Sequence, residues 1–210
     1  MEVITIKDYN KFIEIPEDQE ERLEYIYKEL KVKQKDIEKM DEEIAKIKKI
    51  KKKREEVKLV FYVVPEGIAR PRLGRFGTFY VPNIKKFYDI MKVYMKNHKE
   101  LEDLMIFTEC KMDCKYYFPM TSDMTKIEKI LAERKFIKYI KKPDWDNVGK
   151  STDMLHKIWL DDALVTDARV RKYYSFKPRI EIRIVYYKRS TNSYHEKLIN
   201  KLLKRKGDKK

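Results

Sequence analysis

The spacing of the apolar residues changes abruptly near residue 57, and that change restricts the chain to a helical arm followed by a sheet-bearing domain. Upstream, Leu23, Ile26, Leu30, Ile37, Met40, Ile44 and Ile47 are separated by 3, 4, 7, 3, 4 and 3 residues, a heptad seam broken only where Lys33 takes a d position. Pro16 and the acidic Glu17, Asp18, Glu20 and Glu21 supply the entry and the negative first turn that a helix dipole favours. One long helix is therefore expected over residues 17 to about 56, after an irregular or weakly extended stretch from residue 1. So narrow a seam between charged flanks packs on another helix rather than on a broad core, as a coiled-coil arm or one half of a helical hairpin. Period alone does not distinguish a partner in the same chain from a second copy.

Downstream, Val57 to Val64 is β-branched and aromatic and stops at Pro65 and Gly67, which defines the first strand. Residues 104–119 and 164–175 read as further strands. In 179–187, Ile180, Ile182, Ile184 and Tyr186 alternate with Glu181, Arg183 and Val185. The last two strands, joined through Phe176-Lys177-Pro178, are expected to pair antiparallel. Helices are expected from Asn83 to about His98, and from Ser122 or Asp123 with Ile127, Ile130, Leu131 and Phe136 inward. Another runs from Asn147 to about Lys157 with Val148, Met154, Leu155 and Ile158 inward. A short one starts at Asn192 and gives way to a basic tail from Lys204. The fold class is α+β: a mixed, largely antiparallel sheet packed by helices, with an N-terminal long helix or coiled-coil arm. Residues 1–56 form the arm, 57–190 the main domain and 191–210 a basic C-terminal helix and tail.

Lys and Arg exceed Asp and Glu by 15, and such an excess favours a polyanion, since each neutralised phosphate releases counterions. Nucleic acid is the first candidate and an anionic membrane surface the second. No run approaches the roughly 18 to 20 apolar residues of a membrane span, and the first residues lack the basic-then-apolar order of a signal peptide. A cytoplasmic protein with no membrane partner is expected. Cys110 and Cys114 stand without a second Cys or His pair at ligand spacing, so they read as reduced thiols rather than a zinc site. His98, His156 and His195 are scattered one per segment, which gives no support to a His-centred triad.

Two segments carry chemistry. In 69–82, Arg70, Arg72 and Arg75 alternate with Pro71, Gly74, Gly77 and aromatics, so guanidinium groups sit on a loop or tight hairpin suited to bidentate phosphate contacts. In 142–150, Asp144 and Asp146 are followed by Lys150 and, twelve residues later, by the second member of the pair Asp161-Asp162. On a helix begun at Asp146, Lys150 and Asp153 share its face. Carboxylates without His or Cys suit Mg²⁺, with Mn²⁺ as the alternative, and such an ion activates water and neutralises developing phosphoryl charge. D-x-D by itself is common, and Asp146 or Asn147 could equally serve only as a helix cap.

Pro143-Asp144-Trp145-Asp146-Asn147-Val148-Gly149-Lys150, then Trp159-Leu160-Asp161-Asp162, resembles the RusA family of Holliday-junction resolvases, with its P-D-x-D-N-x-x-K and following D-D. Arg70-Pro71-Arg72 and Gly77-Thr78-Phe79-Tyr80-Val81-Pro82 are similar to that family's R-x-R and G-x-x-Y-x-P, so the resemblance spans residues 57 to 188. It implies that Asp144, Asp146 and Asp162 are the metal-binding catalytic aspartates and that Lys150 is the essential lysine, and it leaves open whether Asp161 supports the ligands. It further implies a homodimer binding a four-way DNA junction and making paired, Mg²⁺-dependent cuts that leave 5′-phosphate ends. The sequence departs from the family in three places. The interval from Lys150 to Asp162 is shorter, Asp153-Met154-Leu155-His156-Lys157 replaces D-A-L-N-G, and Ala163-Leu164 replaces Ser-Gln. The first two leave the role of Asp153 open. A different class of function, a non-catalytic protein that binds or bridges nucleic acid through the basic loop and the arm, also accommodates the residues.

Overall fold

A computed structural model describes residues 18–68, 72–73, 79–80 and 84–207. The chain divides into two compact units, one up to Lys48 and one from Lys49 onward.

In the first unit the expected long helix is two helices, α1 (Gln19–Glu29) and α2 (Gln34–Lys51, whose last turn runs into the second unit). Asp18 caps α1, its carboxylate accepting the N–H groups of Glu20 and Glu21 at 2.9 and 3.1 Å. The break falls at the one residue that violates the heptad. Lys31 takes a positive φ of 50°, and the N–H of Lys33 donates to Asp36 Oδ2 at 3.0 Å, so Lys33 heads the second helix. Tyr27 Oη lies 3.6 Å from Met40 Sδ. Thirteen residues of continuous helix would separate such positions by about 20 Å, so the two helices fold back on each other. Neither buries a residue within this chain.

The second unit is built on a four-stranded sheet in the order β1-β6-β4-β5. Its strands are β1 (Arg54–Phe61), β4 (Cys110–Phe118), β5 (Val165–Tyr174) and β6 (Arg179–Tyr187). β6 is antiparallel to both β1 and β4, whereas β4 and β5 are parallel. The expected pairing of β5 with β6 is thus replaced by insertion of β4 between them. The reason is burial: Cys110, Met112, Cys114, Tyr116, Tyr117 and Phe118 make β4 the most buried strand, and an interior position hides it. The link through Ser175-Phe176-Lys177-Pro178 is long enough to cross the roughly 10 Å of two strand spacings. Its start is fixed by the Ser175 N–H on Phe118 O at 2.8 Å, and by Glu133, which accepts from Ser175 Oγ at 3.1 Å and Phe176 N at 2.7 Å.

One face of the sheet carries the core. Leu59 and Phe61 of β1 lie opposite Ile182 and Ile180 of β6, and all four are buried. α3 (Ile84–Asn97) contributes Phe87 and Met91 to the same core. The other face is charged, with Arg183 of β6 bound to Glu56 of β1 and Arg171 of β5 bound to Asp113 of β4. β2 (Arg72–Leu73) and β3 (Phe79–Tyr80) form a separate two-stranded hairpin.

Several boundaries differ from those expected. Residues 104–109 are not strand; Ile106 makes an isolated bridge to Trp159 instead. α4 (Lys126–Glu133) is capped not by Ser122 or Asp123 but by Thr125, in a reciprocal box with Glu128. Its expected inward residues Ile127, Ile130 and Phe136 are exposed, and Ala132 is the residue it buries. The final helix, α6 (Ser193–Gly207), is started by Asn192 Oδ1 accepting the His195 N–H at 2.9 Å, and it continues past Lys204 into the expected basic tail.

Candidate active site

The acidic motif leaves α4 through a tied-down turn. Tyr139 stacks on Phe118 with ring centroids 3.9 Å apart, and its hydroxyl donates to Lys142 O at 2.6 Å. Lys172 of β5 lies over the Tyr139 ring and donates to the carbonyls of Lys141 and Pro143 at 3.0 and 2.8 Å. The short helix α5 (Trp145–Gly149) follows, with Asp144 as its N-cap residue. The Asp144 carboxylate does no capping; it binds the Lys142 ammonium at 2.7 and 2.6 Å. That hydrogen bond holds its carboxyl below the usual carboxylate range, with desolvation opposing it and the Lys142 and Lys172 charges adding to it.

Asp146 lies in the first turn of α5, and Lys150 lies one turn further on with Nζ 3.8 Å from Asp146 Oδ2. The lysine is fixed by a 2.9 Å hydrogen bond to Asn147 Oδ1. The segment Lys150–Lys157, expected as α-helix, is instead a 3-10 helix of eight residues. In that geometry side chains three apart eclipse, which lines up Lys150, Asp153 and His156 on one edge while Ser151, Met154 and Leu155 are buried. The register is locked from inside by a 2.9 Å hydrogen bond between Ser151 Oγ and the hydroxyl of Tyr116 on the central strand. The shortened interval after Lys150 is therefore accommodated by tighter winding.

The two members of the acidic pair divide their roles. Asp161 Oδ1 accepts the Ala163 N–H at 3.0 Å and holds the turn, whereas the carboxylate of Asp162 makes no hydrogen bond or ion pair among the described residues. Asp162 and Asp153 face a common cavity of about 330 Å³ whose lining also includes His156, Tyr88 and Trp159. Asp153 is raised above its ordinary value, first because its carboxylate is partly shielded from water and then because of the nearby Asp162 charge, with His156 and Lys150 opposing. His156 Nδ1 is 3.2 Å from the Asp153 carbonyl, and its ring meets Tyr88 edge-on at 4.8 Å.

Of the residues proposed from sequence, Asp146 and Lys150 are brought together, and Asp162 shares a cavity with Asp153, on whose carboxylate Lys150 also acts. Asp144 is turned to Lys142. Among the described residues no three His, Cys, Asp or Glu side chains are gathered as a ready metal cage. Arg70 and Arg75 lie outside the described residues, and of Arg72 only the backbone pairing with Tyr80 is described. The segment leading into that loop is anchored on the motif: Ile68 is buried, and its N–H donates to Asn147 O at 2.9 Å. Gly67 lies so close to Pro143 that an added Cβ would stand 2.5 Å from the proline Cβ. Lys172 and His156 were not singled out by sequence reasoning. The spacing of three from Lys150 through Asp153 to His156 was a usable signal for the histidine, but only on a 3-10 helix.

The class of protein that results is an α+β fold in which an Asp, Asn and Lys motif is set against a mixed sheet. Residues 63–186 match the family Endodeoxyribonuclease RusA, and the chain belongs to that family of DNA endonucleases. It is similar to the "Uncharacterized protein YqaN" of Bacillus subtilis (strain 168), with 32% identity over 136 residues, 61% of this chain and 94% of that protein.

Proposed function

We propose that the chain is a metal-dependent endodeoxyribonuclease that resolves Holliday junctions or related branched DNA by paired phosphodiester hydrolysis, leaving 5′-phosphate ends. The observation that carries this reading is the Lys150 ammonium, held at 2.9 Å by Asn147 and 3.8 Å from Asp146 and acting on the Asp153 carboxylate, inside a chain of the RusA family. A fixed ammonium at the edge of a carboxylate group can meet the attacked phosphate or the departing oxygen and offset its growing charge.

Asp144, Asp146 and Asp162 would hold Mg²⁺, or Mn²⁺ in its place. The donor set fits: it is all oxygen, Asp162 has no hydrogen bond or ion pair among the described residues, and Asp144 would exchange its exposed Lys142 partner for the ion. A preformed three-carboxylate cage is not required, because Mg²⁺ commonly takes one or two carboxylates and completes its shell with water and substrate phosphate. When bound, the ion supplies an activated water and neutralises phosphoryl charge. Asp161 keeps the turn that leaves Asp162 free. Arg70, Arg72 and Arg75 contact the DNA backbone, and the chain enters their segment from the anchored Gly67 and Ile68. A homodimer presents two such sites, which accounts for cuts in pairs.

The test is Asp146→Asn assayed on a synthetic four-way junction with Mg²⁺ or EDTA. Wild type should nick symmetrically only with metal, and the variant should bind the junction without cutting it. The excess of 15 basic residues supports a second reading, a protein that binds or bridges nucleic acid without cutting. On that reading wild type binds and never cleaves, and Asp146→Asn alters neither property.

A further inference from the structure

The face between α4 and the acidic motif combines exposed apolar side chains with lysines in a way the proposed chemistry does not use. Trp145 stands between Asp144 and Asp146 in the sequence, yet 67% of its surface is exposed, and it has no ring partner or hydrogen bond among the described residues. Ile140 is 89% exposed and Phe136 69%. Single exposed apolar residues are ordinary, but here three large ones fall within ten residues of chain, on the approach to the motif and inside it. Lysines accompany them throughout. Lys141 is paired with Asp123 and Lys142 with Asp144, while Lys135 and Lys138 both lie over the Tyr173 ring. The backbone beneath does not yield, because Tyr139 and Lys172 pin residues 139–143 to the sheet.

Apolar rings next to lysines on a rigid frame match a nucleic-acid strand with an unstacked base: the ring takes the base face and the ammonium groups take the flanking phosphates. Intact duplex offers no free base face at its side. We propose that Trp145 stacks on an unpaired or unstacked base at the branch point, with Ile140 and Lys142 flanking it, so that branched DNA is distinguished from duplex beside the scissile phosphate. This inference rests on the nuclease reading above and adds the feature of the substrate that the site selects.

The chain has two tryptophans, and the other, Trp159, is 4% exposed, so quenchable emission reports Trp145. The full chain is titrated in EDTA with a four-way junction, a duplex carrying a three-nucleotide bulge, and intact duplex of the same sequence. Junction and bulge should quench the emission and protect it from acrylamide, whereas duplex at matched saturation should leave it accessible. Trp145→Ala should lose about tenfold of the preference for bulge over duplex, and Trp145→Phe should restore most of it. Equal protection by duplex, or an unchanged preference in Trp145→Ala, overturns the proposal. So does protection in DNA-free protein that rises with protein concentration, which would mean a second copy covers the ring. Metal-dependent cleavage of the junction by wild type, run in parallel, keeps the two readings apart: its loss removes the nuclease proposal, while the fluorescence result decides the role of Trp145.

Discussion

Lys172→Met isolates what holds the acidic motif in place. Methionine keeps most of the apolar stem, but it removes the ammonium that lies over the Tyr139 ring and donates to Lys141 O at 3.0 Å and Pro143 O at 2.8 Å. A hydrogen bond from a charged donor is worth about 1.5–3 kcal/mol when well shielded. Lys172 is only half-buried, so water partly replaces each bond and roughly 1 kcal/mol apiece is the screened expectation. The lost contact with the ring adds about 0.5 kcal/mol. Burial lowers the pKa of Lys172, so its ammonium is held at some cost, which the Asp144 carboxylate partly offsets. The net loss should be close to 2 kcal/mol and local to residues 139–148. Hydrogen exchange should therefore speed up in that segment, including the Val148 amide that donates to Asp144 O at 3.1 Å, with the β4 and β6 amides little changed. A displacement of about 1 Å at Asp144 should lower kcat on a junction substrate roughly 100-fold while KM moves less. Lys172→Arg, which keeps donors, should recover part of both effects. Unchanged exchange over 139–148 in Lys172→Met would refute the reasoning, because the two carbonyl contacts would then not be what fixes the motif.

Three further outcomes follow from single contacts. Gly67→Ala places a Cβ 2.5 Å from Pro143 Cβ, an overlap that should cost about 1–3 kcal/mol in urea unfolding; a midpoint equal to wild type would show that the loop yields freely. Glu56 is held down to about 2 by hydrogen bonds from Arg183 and Lys58, against an ordinary value of 4.5. Its contribution to stability is present above pH 4.5 and disappears as pH falls toward 2, so Glu56→Gln should unfold with a flatter pH dependence across that window. Burial pushes the Cys110 thiol up to about 11 and the Cys114 thiol up to about 12, with Glu109 and Asp113 adding to it. Neither should react with an aromatic disulfide reagent at pH 8 until denaturant is added, and rapid labelling of the native protein would contradict that burial.

What could be read from the sequence divides along the range of the interactions involved. Alternation in β6 identified Ile180, Ile182 and Ile184 as core, and helical spacing identified Val148, Met154, Leu155 and Ile158; all are buried, because a side chain's face is set within a few residues of itself. The partner of β5 was misread because hairpin proximity is a local cue, whereas the place of β4 depends on the burial of a whole strand against the rest of the sheet. The long helix failed at Lys33, where the heptad already showed its one defect; a single polar d position was read as tolerated, but Asp36 offers it a cap and the chain turns. At the site the same division holds. Asp146 with Lys150 was visible as a spacing of four on one turn of helix. The grouping of Asp153 with Asp162 was not, because it depends on eight residues winding as a 3-10 helix, a choice locked by the buried contact of Ser151 with Tyr116 some 35 positions away in the chain. A shortened motif was thus compatible with two windings. On an α-helix, Lys150 and His156 point to different sides; on the observed helix they line one edge with Asp153 between them, so this core hydrogen bond decides which side chains share the site's edge.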